Sequence, residues 1–144
     1  MSDFPDNCIR GIQKLKNVYQ DTNTVSAQLF IPDERTIKNR SDGGQETSIN
    51  WEDDETVLDF TLNQKDENDQ NRLLFPNGAV KLPRSEMDKL IADANISNAI
   101  SYERNPLANN VYHGNIVFRD GLSKPMITMI ANVLALYCSE VIRK

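Results

Sequence analysis

The sequence holds one histidine, His113, and two cysteines, Cys8 and Cys138, in 144 residues. A structural zinc site needs several Cys or His ligands at short spacings, and no CxxC or Cys–His cluster occurs here. A Cys–His nucleophilic pair would have to join His113 to a distant thiol. We therefore expect no bound metal, no cofactor, and two reduced cysteines packed as small apolar residues.

Motifs for phosphate binding and for serine hydrolases are missing as well. The six glycines include one adjacent pair, Gly43-Gly44, within the polar segment 33–45. This segment contains neither GxxxxGK[ST] nor GxGxxG, the two glycine patterns that cradle phosphate groups. We interpret it as a loop with a turn, because glycine adopts a positive φ at little cost. The chain also lacks the GxSxG elbow of serine hydrolases.

Long apolar runs are confined to the C-terminal segment. The first residues, MSDFPDNCIRG, have neither the basic start nor the apolar core of a secretion signal, so we expect a cytoplasmic protein. Residues 126–142 are interrupted by polar side chains, and a typical membrane span needs ~20 predominantly apolar residues. The sequence therefore predicts neither secretion nor insertion into a membrane.

Basic residues are scarce in one acidic segment, 46–69, where nine acids accompany a single base, Lys65. This segment carries −8, while the whole chain carries −5, which leaves +3 elsewhere. Because nucleic-acid backbones are bound by clustered Lys and Arg, we expect no general nucleic-acid binding. The adjacent acids Asp53, Asp54 and Glu55 are interpreted as a solvated face rather than a magnesium site.

The sequence does contain a series of short strand-like and helical segments, at a length typical of one domain, 1–144. Together they predict an α+β fold: a mainly antiparallel sheet of about five strands, packed by a long apolar C-terminal helix. A solvated loop is expected at 65–71. The predicted strands are 24–32, 47–51, 99–104 and 110–118. Around the turn Pro76-Asn77-Gly78, within 71–83, we expect two short strands or a strand and a turn. The predicted helices are 54–63 and 85–94, the latter capped by Ser85.

The C-terminal segment is the most distinctive part of the chain. Ser123 suits a helix N-cap and Pro125 suits the first turn, and the residues at 126–142 are apolar except for Thr128, Asn132, Ser139 and Glu140. Such a helix is either covered on all sides by its own domain or docks onto another chain. The residues expected at an interface are Met126, Met129, Ile130, Val133, Leu134, Tyr137 and Val141.

His113 lies in the stretch NNVYHGNIVF, residues 109–118, between a polar turn and an apolar run. The favoured interpretation is a polar residue at a turn-to-strand junction, hydrogen-bonded to a nearby backbone group. Two alternatives stay open. One is catalysis with Glu103 or Tyr112, and the other is a ligand pocket shared with Tyr102 and Arg104.

Three functions are therefore carried forward. The leading hypothesis is a small cytosolic accessory protein, not an enzyme, that forms a homo-oligomer or joins a larger complex through its C-terminal helix. It rests on the nearly all-round apolar helix and on the missing catalytic motifs. The second hypothesis is a small hydrolase or transferase that uses His113. The third is a module that senses a small, nucleotide-like ligand.

Overall fold

The fold is centred on a five-stranded antiparallel sheet, in a computed structural model that describes residues 3–33, 40–96 and 98–144. The strands are β1 (Asn7–Gly11), β2 (Val18–Tyr19), β3 (Thr24–Val25), β4 (Gln45–Trp51), β5 (Lys65–Asp66), β6 (Asp69–Leu73), β7 (Ala79–Pro83), β8 (Ile100–Arg104) and β9 (His113–Phe118). In the main sheet the order is β7-β1-β4-β9-β8, while β2 pairs with β3 and β5 with β6. The predicted α+β class and the five-stranded antiparallel sheet are confirmed.

Among the described residues, three α-helices accompany the sheet: α1 (Val57–Leu62), α2 (Arg84–Ala92) and α3 (Lys124–Leu136). Short 3₁₀ turns occur at Leu15–Asn17, Ala27–Leu29 and Ala94–Ile96. Helix α3 is the predicted C-terminal helix. Within the described ranges, no helix has the length and apolar character needed to cross a membrane.

The pairing of β4 with β9 divides the sheet into two unlike faces. Ile49 lies opposite Gly114, and Asn50 lies opposite His113. Because side chains alternate along a strand, Ile49 and Trp51 point to one face and Asn50 to the other. We call these the core face and the polar face. The core face is buried against α3 and the 3₁₀ turns, in a cluster that includes Cys8, Ile49, Trp51, Ile116, Phe118, Ile130 and Leu134.

Trp51 holds the centre of the core face in place. It is fully buried, and its indole Nε1–H donates a 3.1 Å hydrogen bond to the backbone oxygen of Glu103 on β8. The indole crosses Gly114 to make this bond, since a Cβ added at Gly114 would lie 2.3 Å from Nε1. Phe4 and Tyr102 pack around the indole, with ring centroids 4.9 and 5.3 Å away. Position 114 therefore requires glycine, because the indole lies too close to the backbone there to leave room for a side chain.

Several sequence predictions differ from the structure in their details. The segment 24–32 was expected to be a strand, but only Thr24–Val25 is extended before the 3₁₀ turn Ala27–Leu29. Leu29 and Phe30 are consecutive and both buried, which a strand with one covered face does not allow. The expected loop 65–71 instead contains most of the β5–β6 hairpin.

The helix boundaries also differ from the predicted ones. Ser85 is not the N-cap of α2, because that helix begins at Arg84 with Pro83 in the cap position. Ser123 does cap α3 as predicted, since its Oγ accepts a hydrogen bond from the Met126 N–H at 3.3 Å. Part of the expected loop at 33–45, residues 34–39, lies outside the described ranges.

The C-terminal helix is shorter than expected, ending at Leu136 rather than near residue 142. Beyond it the chain bonds to the edge of the sheet: the Ser139 N–H donates to Lys81 O, and Ile142 and Ala79 exchange two backbone hydrogen bonds of 2.8 and 2.9 Å. These bonds to β7 replace the helical bonds that residues 137–142 would otherwise make, so tertiary pairing overrides local helix preference.

The packing of Trp51 over Gly114 predicts a steep cost for adding one methyl group. Gly114→Ala should lower the free energy of unfolding by about 1–3 kcal/mol, because neither the indole nor the β8 backbone can move away cheaply. Urea unfolding measures this loss. Gly44→Ala is the comparison variant and should lose less stability, since its added Cβ would meet its nearest neighbours at 3.1 Å rather than 2.3 Å. Equal losses in the two variants would contradict the proposed role of the contact.

Candidate functional site

His113 lies where the sequence placed it, at the junction of a turn and a strand. It is the first residue of β9. Its Nδ1 is 2.8 Å from the backbone oxygen of Asn105. A carbonyl oxygen only accepts, so Nδ1 carries a hydrogen and donates it. In the neutral ring Nε2 is then left as an acceptor, and it becomes a donor when the imidazole is protonated.

The proposed catalytic companions of His113 are engaged elsewhere. Glu103 accepts hydrogen bonds from Arg40 Nη1 and Nη2 at 3.0 and 3.2 Å. The ring of Tyr112 packs edge-on against Phe60, with centroids 5.1 Å apart. Across the described residues, no serine, cysteine or carboxylate side chain hydrogen-bonds the imidazole of His113. Within the described ranges, His113 therefore lacks the adjacent nucleophile and orienting group of a catalytic triad.

The ligand-pocket candidates Tyr102 and Arg104 lie on the core face, opposite to His113. Arg104 pairs with Gly114 across β8 and β9, one position beyond His113, so its side chain points to the other side of the sheet. Its guanidinium binds Asp53 at 2.7 and 3.2 Å. Tyr102 packs on Trp51 and donates its hydroxyl hydrogen to Asp88 at 2.6 Å. These side chains therefore share no cavity with His113.

A four-residue ion cluster occupies the polar face beside β8. Arg40 contacts Asp42, Glu46 and Glu103, each through a nitrogen–oxygen distance of 2.9–3.0 Å. The hydrogen bond from Arg40 lowers the pKa of Asp42 to about 2. Burial raises the pKa of Glu103, but hydrogen bonds from Arg40 and Asn115 more than offset it, so that pKa lies below its usual value. The carboxylates thus stay ionised and act as partners of Arg40.

The acidic segment shows no cation site in the part of the chain that the structure describes. No group of three or more His, Cys, Asp or Glu side chains there is arranged to hold a metal ion. Asp53 is instead paired with Arg104. Cys8 and Cys138 are both free thiols. Burial raises the pKa of each, that of Cys138 to about 12, so neither is activated as a nucleophile.

His113 does line a cleft, of about 290 Å³, over the polar face. The cleft opens beside Ile9 and Asn50, where β1 separates from β4, and the β5–β6 hairpin and the turn before β9 border it. Of the residues that line the cleft, only His113 was among the predicted site residues, so Arg10 and Gln64 were missed along with the rest. The available signal for Arg10 was a single charge inside the otherwise uncharged strand NCIRG.

A buried amide network holds one wall of this cleft. Asn50 Nδ2 donates to Thr61 Oγ1 and to Gln64 Oε1, both at 2.8 Å, and Asn50 Oδ1 accepts from Asn110 Nδ2 at 2.8 Å. Asn110 Oδ1 in turn accepts from the Tyr112 N–H at 3.0 Å. Every polar atom of the Asn50 amide is therefore used, which fixes α1 and the turn before β9 against β4.

The residues predicted at an interface differ in how far the fold leaves them exposed. Met129 and Tyr137 are exposed, whereas Met126 and Val133 are half-buried. Ile130, Leu134 and Val141 belong to the core of the chain itself, so a partner cannot reach them while the fold is intact. Leu136, which the prediction left out, is the most exposed large apolar side chain of the helix.

The chain matches no protein-family model, no curated protein and no solved structure among those with which it was compared. Its function is therefore inferred from its own residues and geometry.

The Arg40 cluster predicts a specific dependence of stability on pH. The lowered pKa values of Asp42 and Glu103 contribute stability that is present above about pH 5 and is lost as the pH falls through the folded-state values. Arg40→Gln should therefore be less stable than the wild type at neutral pH, and this difference should shrink towards pH 2. Urea unfolding at a series of pH values measures it.

Arg119→Gln is the matched control for this experiment, because Arg119 is exposed and its side chain has no ion pair among the described residues. It should leave the pH profile unchanged. A difference between Arg40→Gln and wild type that stays constant from neutral pH to pH 2 would show that the cluster does not set these pKa values.

Proposed function

We propose that this chain is a small accessory protein, not an enzyme, that associates through its C-terminal helix with a second copy of itself. The observation that carries the proposal is the exposure of Leu136 at the end of α3. Its side chain is 75% exposed, and that of the following Tyr137 is 48% exposed. Large apolar side chains that lie together on a surface are a common mark of protein–protein contact.

The exposed apolar residues of α3 form one line along the helix. Met129, Val133 and Leu136 follow the i, i+4, i+7 spacing that places side chains on the same side of a helix. Met129 is 42% exposed and Val133 is half-buried. We call Met129, Val133, Leu136 and Tyr137, together with the neighbouring Tyr19, the helix surface.

Tyr19 extends this surface beyond the helix. It is 55% exposed and borders a shallow groove of about 250 Å³, with Leu136 and Cys138 on the other side. All the residues lining the groove are uncharged, in a chain of which 26% is charged. A groove of this kind offers tyrosine and leucine side chains for burial, and aromatic residues are enriched at the centres of interfaces.

The absence of charge along this groove favours a second copy as the partner. The chain carries a net charge of −5, so most pairs of identical surfaces would bring like charges together. In a two-fold dimer each residue of the surface meets the same surface of the partner. An uncharged groove avoids that repulsion, and both copies of each apolar side chain, one from each subunit, are buried.

Leu136→Asp tests this function. Each fully buried leucine contributes about 1.5–3 kcal/mol, and a two-fold dimer loses two of them. The variant should therefore weaken self-association at least about 100-fold. Sedimentation equilibrium over a range of protein concentrations measures the dissociation constant, and circular dichroism checks that the fold is retained.

Val111→Asp is the matched control. Val111 is 65% exposed, in the turn that borders the polar-face cleft, and its substitution should leave self-association unchanged. A wild-type chain that sediments as a monomer at micromolar concentrations would overturn the proposal. So would an equal loss of association in the two variants.

A further inference from the structure

A chain of hydrogen bonds determines which atom each amide presents to the polar-face cleft. It starts from a backbone group that can only donate: the Tyr112 N–H bonds to Asn110 Oδ1 at 3.0 Å, which leaves Asn110 Nδ2 to donate to Asn50 Oδ1 at 2.8 Å. The other atom of the Asn50 amide, Nδ2, then donates at 2.8 Å to Thr61 Oγ1 and to Gln64 Oε1. One backbone donor therefore sets the orientation of all three amides.

The far end of this chain requires the same orientation. The hydroxyl of Thr61 donates its hydrogen to Val57 O at 2.8 Å, so its oxygen accepts from Asn50. Gln64 likewise has to turn Oε1 towards Asn50, because Asn50 Nδ2 only donates. The Nε2 hydrogens of Gln64 are then left without an acceptor among the described residues. Since Gln64 is only half-buried and lines the cleft, this donor is available to a ligand.

His113 supplies an acceptor near this donor. It lies directly opposite Asn50 in the β4–β9 pair, so both side chains are on the polar face, with Cβ atoms about 4.5–5.5 Å apart. Its Nδ1–H donates to Asn105 O at 2.8 Å, which leaves Nε2 of the neutral ring as an acceptor that bonds to no other described residue. The cleft thus presents one donor and one acceptor, each held by the hydrogen bonds behind it.

Another wall of the cleft is flat and apolar. The ring of Phe75 lies over the backbone of Gly11, where an added Cβ would come within 2.2–2.5 Å of three ring carbons. Gly11 follows Ile9 by two positions, and Ile9 pairs with Asn50, so the ring is on the polar face as well. Leu107 also lines the cleft. A volume of about 290 Å³ is at the lower end for small-molecule sites, which combine apolar walls with a few placed polar groups.

The charged residues that border the cleft leave its floor uncharged. Lys65 and Glu67 are both exposed, lie at its rim and have opposite signs. Arg10 also borders it, but strand alternation places its side chain on the core face, where Nε donates to Leu29 O at 3.1 Å. Its Nη1 donates to Ser48 O at 2.8 Å, in the gap between β1 and β4. An ionised group on the floor would lose hydration and find no counter-charge, so the ligand that fits is uncharged.

We propose that this cleft binds a small, uncharged planar ring that carries a carboxamide or lactam group. Such a group places a carbonyl oxygen beside an N–H: the oxygen accepts from Gln64 Nε2, and the N–H donates to His113 Nε2, while the ring packs on Phe75. A ligand with only one of the two would leave a polar group of the cleft unpaired. The site is separate from the helix surface, which lies with α3 on the other side of the sheet.

Titration with two matched pairs of probes tests the site. Nicotinamide is compared with nicotinate, and hypoxanthine with purine, at about pH 8, where imidazole side chains are neutral. The backbone amide signals of Gly11, Ser48 and Asn50 in ¹⁵N-labelled protein report binding. Nicotinamide, hypoxanthine or both should shift these signals saturably, with a dissociation constant in the millimolar range or below. The matched probe should bind at least about tenfold more weakly, because it cannot pair with both Gln64 and His113.

Gln64→Glu removes the donor while keeping the bond behind it. The new side chain retains an oxygen for Asn50 Nδ2 but puts a carboxylate oxygen in the place of Nε2, so affinity for the responding probe should fall at least about tenfold. Gln70→Glu is the matched control. Gln70 is exposed on β6 and outside the cleft, so its substitution adds the same charge to the β5–β6 hairpin and should leave binding unchanged.

A second variant fills the cleft. Ser48 is exposed, lines the cleft and points to the same face as Asn50, so Ser48→Phe should abolish binding. Ser101→Phe is its matched control, because Ser101 is an exposed serine of β8 that lies outside the cleft. It should bind the responding probe as the wild type does.

Saturable binding of neither nicotinamide nor hypoxanthine would overturn the proposal, as would equal affinity for the responding probe and its match. Wild-type affinity in a folded Gln64→Glu, or equal affinities in Ser48→Phe and Ser101→Phe, would do the same. If Gln64→Glu does not fold, the comparison of the two serine variants decides. Since Leu136→Asp leaves the cleft untouched, it should keep wild-type affinity, which separates this site from the proposed self-association.

Discussion

The antiparallel pairing of β4 with β9 is the constraint on which the rest of the molecule depends. It sets Ile49 over Gly114 on one face of the sheet and Asn50 beside His113 on the other. The first face admits the indole of Trp51 and becomes the core under α3. The second face carries amide and charged side chains, and the cleft forms there. A slip of one residue in this pairing would exchange the two faces entirely.

The strands that alternate apolar and polar residues were predictable, as were the α+β class and the cap at Ser123. Local sequence determines these features, because side-chain alternation and capping act over a few residues. The end of α3 was not predictable in the same way. Residues 137–142 have the composition of a helix, and only the free edge of β7, distant in sequence, draws them into backbone bonds with Lys81 and Ala79.

The candidate site was predicted only in part. His113 was identified as the residue to consider, and it does line the cleft. Arg10 was missed because the gap that receives its guanidinium is produced by the separation of β1 from β4, which no local pattern signals. Arg104 and Tyr102 were grouped with His113 because they lie on a neighbouring strand. Side chains alternate between the two faces along a strand, however, and the register places those of Arg104 and Tyr102 on the face opposite to His113.

The strand order β7-β1-β4-β9-β8 also has a kinetic consequence. Within this five-stranded sheet only β8 and β9 are neighbours in both sequence and space, so that hairpin can form early through local contacts. β1 must stay unpaired until β4 and then β7 have been added to the chain, and the loops that close are long. Folding dominated by such distant pairings is slow compared with that of helical proteins of similar size, and the apolar side chains of β1 stay exposed to aggregation until both neighbouring strands arrive.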